Sequence, residues 1–290
     1  MKPARFDYYL PSTLEEALAK LSELGSEGKV LAGGQSLVPM LNMRIAQPAA
    51  LIDINGLVEL DAVACENGAL RVGATVRQST LERSDAALGQ VPLLAQALPL
   101  IGHWQTRNRG TLCGSLAHAD PSAELPLLLA VLDGSVEVHS SRGARTIAAR
   151  DLFVSFFTTS LEADELIVAA YVPVAPARRC YAFDEVAQRH GDFALVSVAC
   201  AAEFDEQGAL AYLTLALGGA SEVPLVVETA DALGRHADRE LIAALAERAS
   251  VACDPPSDHH ASAAFRRQLV RTLTGRMLTA LLRREEAAAT

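Results

Sequence analysis

Apolar residues recur at helical spacing over residues 12–24, where Leu14, Ala17, Leu18, Leu21 and Leu24 fall on one face. Ser12 followed by Glu15 has the form of a capping box, and Gly25 stops the run. Short strands are predicted at residues 29–32, 51–54 and 69–74, the last entered through Asn67-Gly68, a dipeptide favoured in tight hairpins. Residues 37–43 read as a helical turn, a helix follows Thr75, and an apolar helix is predicted over residues 92–101. A further helix begins at about Pro121, because proline is tolerated in a first helical turn. Strands at residues 135–139 and 145–148 flank Ser141-Arg142-Gly143 as a hairpin, and a strand at residues 166–172 ends at Pro173.

Pro173 and Pro176 mark a change of pattern. Beyond them lie three strands at residues 181–186, 194–204 and 209–217, read as an antiparallel meander, and then three Ala- and Leu-rich helices over residues 226–284. Strands followed by helices make an α+β domain. With 290 residues, the chain favours two or three packed units over one core.

Composition narrows the function classes. Half of the residues are hydrophobic and 21% are charged, as in an ordinary globular protein, with disorder expected from about Glu285. A net charge of −10 argues against nucleic acid as a partner, since a phosphate backbone calls for a basic face. The six arginines from Arg266 to Arg284 read as a solvated or subunit-facing helix surface. Five cysteines, at 65, 113, 180, 200 and 253, include no CxxC pair, so neither a disulfide framework, a zinc site nor an iron–sulfur site is indicated. No signal-peptide core opens the chain and no run of about 18 apolar residues follows, so a cytoplasmic protein without membrane insertion is expected.

Two glycine-bearing turns carry the candidate chemistry. In VLAGGQSLVPML, Gly33 and Gly34 free the backbone for positive φ and for close approach of a ligand. The N–H groups of Gly33, Gly34, Gln35 and Ser36 form a candidate nest for phosphate or pyrophosphate, with a helix behind them. Taken alone, the two glycines favour a plain strand-to-helix turn, since glycine pairs mark turns generally. A second turn, Arg109-Gly110-Thr111-Leu112-Cys113-Gly114-Ser115, lies about 80 residues on with similar ingredients, and the pair suits a grip on one diphosphate from two sides. Neither GxGxxG nor GxxxxGKS occurs, which removes the two commonest nucleotide loops.

AGGQSL, TLCGSLAHADPSAELP and GDFAL at residues 191–195, in that order, resemble the FAD-binding medium subunit of the molybdenum hydroxylases. That family includes flavin subunits of carbon monoxide dehydrogenase, quinoline 2-oxidoreductase, nicotine dehydrogenase and xanthine dehydrogenase relatives. The resemblance spans the chain. It implies a two-subdomain FAD-binding PCMH-type fold, like that of vanillyl-alcohol oxidase and the MurB reductase. Residues 1–175 would form this unit, with subdomains of about 1–55 and 56–175. Residues 176–290 would form a domain like the CO dehydrogenase flavoprotein C-terminal domain, a three-stranded antiparallel sheet with three helices.

The resemblance also implies site residues. Val30, Leu31, Ala32, Gly33, Gly34, Gln35, Ser36 and Leu37 would wrap the FAD diphosphate, and Thr111, Cys113, Gly114 and Ser115 would supply the second clamp. Cys113 stands where many relatives have glycine. Glu124 would bond the sugar-alcohol region with Asp120 nearby, although an acid in a first helical turn is also favoured by the helix dipole. Ile101 and Ile167 align with apolar flavin contacts and are equally suited to a core. Phe193 aligns with a tyrosine that lies against the isoalloxazine in close relatives, so it keeps ring stacking and loses the hydroxyl. His118 is placed near the cofactor, whereas His103 and His190 read as structural or exposed.

No catalytic residue and no metal ligand is expected on this chain. Substrate, an N-heteroaromatic by likeness, would be oxidised at molybdopterin cytosine dinucleotide on a large subunit. Electrons would pass through two [2Fe–2S] clusters of a small subunit to FAD here, then to an external acceptor, within a dimer of heterotrimers. A carbon monoxide or aldehyde dehydrogenase medium subunit, a stand-alone MurB-like flavin reductase and a nucleotide-binding regulatory module are the alternatives.

Overall fold

The computed structural model describes residues 1–288, with side chains through Arg283; the disorder expected from about Glu285 concerns residues outside the described side chains. The chain opens with a three-stranded parallel sheet in the order β1 (Asp7–Tyr9), β3 (Ala50–Asp53), β2 (Gly28–Leu31). Helix α1 (Leu14–Leu24) crosses over it and buries Ala17, Leu18 and Leu21. Its cap sits one residue later than the sequence pattern indicates. Thr13 Oγ1 accepts the Glu16 N–H at 3.2 Å, and Glu16 Oε2 accepts the Ser12 N–H at 2.8 Å and the Ser12 hydroxyl at 2.9 Å. The short helix α2 (Leu37–Asn42) lies between β2 and β3.

A five-stranded antiparallel sheet follows, in the order β4 (Val63–Glu66), β5 (Ala69–Gly73), β10 (Leu166–Pro173), β6 (Ser135–Ser140), β7 (Gly143–Ala148). Asn67 and Gly68 both take positive φ in the β4–β5 turn, which their short or absent side chains allow. Helices α3 (Gln78–Glu82), α4 (Asp85–Gln90), α5 (Pro92–Ala97), α6 (Trp104–Arg107), α7 (Leu112–His118) and α8 (Glu124–Val131) occupy the connection from β5 to β6. Helix α8 is apolar all round and buried on nearly every side, as a helix between two sheets must be. The short α9 (Ala149–Leu152), β8 (Phe153–Ser155) and β9 (Thr158–Thr159) lead into β10.

The last sheet runs β11 (Cys180–Ala187), β12 (Ala194–Phe204), β13 (Leu210–Gly218), β14 (Leu225–Val227), all antiparallel. It therefore gains a fourth, short strand where the sequence pattern suggests the start of a helix. Two α-helices, α10 (Arg239–Ala252) and α11 (Ala263–Ala288), and a single 3₁₀ turn, Ala230–Ala232, replace the three expected helices. One core spans the first two sheets and continues onto Tyr181, Phe183, Ala199, Ala201 and Ala216. A second core joins the opposite face of the last sheet to α10 and α11. Strand β12 is accordingly buried at every position except Glu203, which is why it reads as an unbroken apolar run.

One of the six C-terminal arginines departs from the expected surface role. Arg266 is buried, donates to the Leu195 carbonyl and meets Asp258 at 2.7 Å, tying α11 to β12. Arg267, Arg271 and Arg276 form surface ion pairs with Asp254, Glu247 and Asp184.

Candidate functional site

The two glycine-bearing turns meet. A Cβ on Gly33 would lie 2.4 Å from the Arg109 carbonyl oxygen and 2.8 Å from the Gly110 Cα, so the turns touch backbone to backbone and no side chain fits between them. Gly34 takes a φ of +73°, in the left-handed region. Beyond this contact opens a cleft of about 600 Å³, within the usual size of cofactor sites.

The first turn leaves its amides without acceptors. Among the described residues, the N–H groups of Gly33, Gly34, Gln35, Ser36 and Leu37 have no backbone acceptor, and no side chain accepts from them. The next residue, Val38, already donates to the Gly34 carbonyl at 3.0 Å. Consecutive unpaired amides on a concave backbone favour an anion.

The second turn is built differently. Thr111 caps α7, and its Oγ1 accepts the Gly114 N–H at 3.0 Å, while the Ser115 N–H goes to the Thr111 carbonyl at 3.2 Å. Two of the amides expected to clamp a diphosphate are therefore already occupied. Cys113 is buried and its thiol contacts the Val72 carbonyl at 3.6 Å. Burial pushes that thiol up to about 12, so it is a neutral core group.

Glu124, also in the cleft wall, opens α8 with 5% of its surface exposed. Burial raises its carboxyl to about 7, and the charge of Asp120 adds to the rise. In the neighbouring sheet, burial and the charges of Glu124 and Asp184 lift Glu185 to about 8. His118 is pulled below its ordinary value by burial, and its ring lies 5.2 Å from that of Phe157.

A model of the FAD binding domain in molybdopterin dehydrogenase matches residues 4–175, and one of the CO dehydrogenase flavoprotein C-terminal domain matches residues 181–281. The chain belongs to the flavoprotein subunits of the molybdopterin dehydrogenases. It is 39% identical to the 6-hydroxypseudooxynicotine dehydrogenase complex subunit alpha of Paenarthrobacter nicotinovorans, over 98% of this chain and 97% of that one. It is 38% identical to the nicotine 6-hydroxylase medium subunit of the same organism, over 96% and 98% of the two chains. Its fold matches a solved carbon monoxide dehydrogenase from Hydrogenophaga pseudoflava, which lacks the Mo-pyranopterin moiety of its molybdenum cofactor. That match has a TM-score of 0.94 and 34% identity, over 98% of this chain and 99% of that one.

In this flavoprotein subunit, Val30, Ala32, Gly33, Gly34, Gln35, Ser36, Leu37, Ile101, Thr111, Cys113, Gly114, Ser115, His118, Glu124, Ile167 and Phe193 all line the one cleft. Leu31 and Asp120 lie outside that lining. Leu31 belongs to β2, and Asp120 accepts the Ser122 N–H at 2.9 Å to shape the turn before α8. Ile101 and Ile167 are packed in the core and also form part of the cleft wall. Phe193 is exposed at the rim, carried by the β11–β12 loop, whose Gly191 packs against His103 with room for no Cβ.

Three contributions escaped sequence reasoning. Phe157, at a φ of +53°, faces the cleft from the β8–β9 turn, and no spacing in the sequence singles it out. Gln78 is buried against the second turn, with Oε1 unpaired. Asn55, legible only as half of an Asn-Gly turn, joins Arg77 behind both loops.

Proposed function

We propose that the cleft holds FAD, with the diphosphate on the amides of residues 33–37, and that the chain serves as the electron-transfer subunit of a molybdenum hydroxylase. The observation that carries this reading is the run of five unpaired N–H groups beside a backbone contact that only glycine at 33 permits. FAD accepts electrons singly or in pairs when bound, which suits it to relay between one-electron clusters and another acceptor. The chain's own residues do the rest: Ile101 and Ile167 supply apolar wall, Ser36 and Ser115 add hydroxyls, and Phe193 stands at the rim to stack on a flat ring. Glu124 takes a hydrogen bond from a ribityl hydroxyl, or donates one while protonated.

Partners follow from the same assignment: a small subunit with two [2Fe–2S] clusters and a large molybdopterin subunit, arranged as a dimer of heterotrimers. Five cysteines with no disulfide among the described residues are in keeping with a cytoplasmic complex. An N-heteroaromatic substrate is favoured because relatives named for nicotine and 6-hydroxypseudooxynicotine are 38–39% identical, above the 34% of the carbon monoxide dehydrogenase structure. Titration of the flavin-free chain with FAD tests the core of the proposal. Quenching of flavin fluorescence, and a changed absorption spectrum that Phe193→Ala perturbs, are expected; no uptake of FAD refutes it.

A further inference from the structure

Behind the two turns runs a chain of polar contacts that links them. Tyr8 donates its hydroxyl to Asp53 Oδ2 at 2.5 Å, at the end of β3. Asp53 Oδ1 accepts both the Asn55 N–H, at 2.9 Å, and Asn55 Nδ2, at 2.5 Å. Asn55 Nδ2 also donates to the Ala32 carbonyl at 2.9 Å, in the first turn. Arg77 closes the chain: its Nη2 donates to Asn55 Oδ1 at 2.5 Å, and its Nη1 donates to the Arg109 carbonyl at 2.6 Å, in the second turn.

These contacts act on backbone direction. In a trans peptide the C=O and N–H point opposite ways. Holding the Ala32 carbonyl back toward Asn55 therefore turns the Gly33 N–H away from it, toward the cleft that Gly33 lines. The Arg109 carbonyl that Arg77 grips is the atom against which Gly33 is seated. One guanidinium thus fixes the floor under the first turn and, through Asn55, the tilt of its leading amide. Both of these Arg77 bonds end on neutral oxygens, while the charges of Asp53 and Asp61 offset its own, so its part is to hold the backbone of the loops.

We propose that Asn55 and Arg77 are positioning residues that orient the amide hollow of residues 33–37 for a diphosphate, a role that rests on the FAD reading above. Lysine in place of Arg77 keeps a charge but cannot span two acceptors with a planar fork.

The test uses the full chain stripped of flavin, titrated with FAD and, separately, with ADP, which carries the diphosphate without the flavin. Arg77→Ala is expected to weaken both ligands by a similar factor of tenfold or more, Arg77→Lys by less, and Asn55→Ala in parallel. Adding Asn55→Ala to Arg77→Ala should cost little more than either alone, because the two act as one unit. Unchanged affinity for FAD and ADP in Arg77→Ala overturns the proposal. So does a lowered melting temperature with both binding constants within threefold of the parent chain, since that is the mark of a purely structural link. If Arg77→Ala does not fold, Arg77→Lys and Asn55→Ser are read by the same criteria. A parent chain that takes up neither ligand refutes the flavin reading itself, whereas normal uptake by parent and variants alike refutes only the strut.

Discussion

The two glycine-bearing turns look alike in sequence and do different work. The first spends its glycines on contact and conformation, and keeps five successive amides unpaired. The second spends its threonine on capping α7, ties up the Gly114 and Ser115 amides, and buries its cysteine against β5. Small residues in a turn therefore do not by themselves announce a ligand. What separates the pair is where the N–H groups end: Ser36 and Thr111 both stand at the cap of the next helix, but only Thr111, with its backbone extended, turns its hydroxyl onto an amide of that helix.

Four measurements can break or sharpen that contrast. The largest effect is expected from Gly33→Ala, because its Cβ would meet the Arg109 carbonyl at 2.4 Å and the turns must separate. FAD affinity should fall by at least about thirtyfold, equivalent to about 2 kcal/mol; retained affinity in a fluorescence titration would mean that the turns yield easily. Next, Thr111→Val removes a helix cap worth about 1 kcal/mol and should lower the melting temperature by about 2–4 °C. FAD affinity should stay within about threefold in that variant, and a collapse of binding would make the second turn a true twin of the first.

Third comes the acid beside the second turn. Glu124 has its carboxyl raised to about 7 from an ordinary 4.5, so the fold disfavours its charged form. The stability it contributes is complete below about pH 4.5 and is lost as pH rises through about 7. Glu124→Gln should accordingly gain thermal stability over the parent flavin-free chain at pH 8.5 and not at pH 4.5; an equal change at both values would contradict the burial effect. The smallest effect concerns Cys113, whose thiol is buried and held up to about 12. Iodoacetamide at pH 8 should modify exposed Cys65 and spare Cys113 until the chain is unfolded, as peptide mapping would reveal.

Much of the architecture was legible because periodicity reports burial. The three long C-terminal strands, the hairpin at residues 135–148 and the first helix all stand close to where the pattern puts them. Local signals failed where tertiary contact decides. Leu225–Val227 joins a sheet edge that its three residues cannot advertise, whereas the shift of the α1 cap to Thr13 is local, since Thr13 and Glu16 form a capping box one residue along from Ser12 and Glu15. Arg266 reads as surface until the Leu195 carbonyl is seen above it. At the cleft, the turns and the walls came from motif and resemblance. The Tyr8–Asp53–Asn55–Arg77 chain did not, since Tyr8 and Arg77 lie far in sequence from the Asp53–Asn55 pair that they join.

The seating of Gly191 on His103 means that the cleft's mouth is assembled from two halves of the polypeptide that share the first core. One half brings the two glycine-bearing turns, and the hairpin of the other delivers Phe193 to the opening. A cut near residue 176 would thus remove one wall of the opening and divide the first core, so under the flavin assignment proposed above neither piece would cover a bound ring alone.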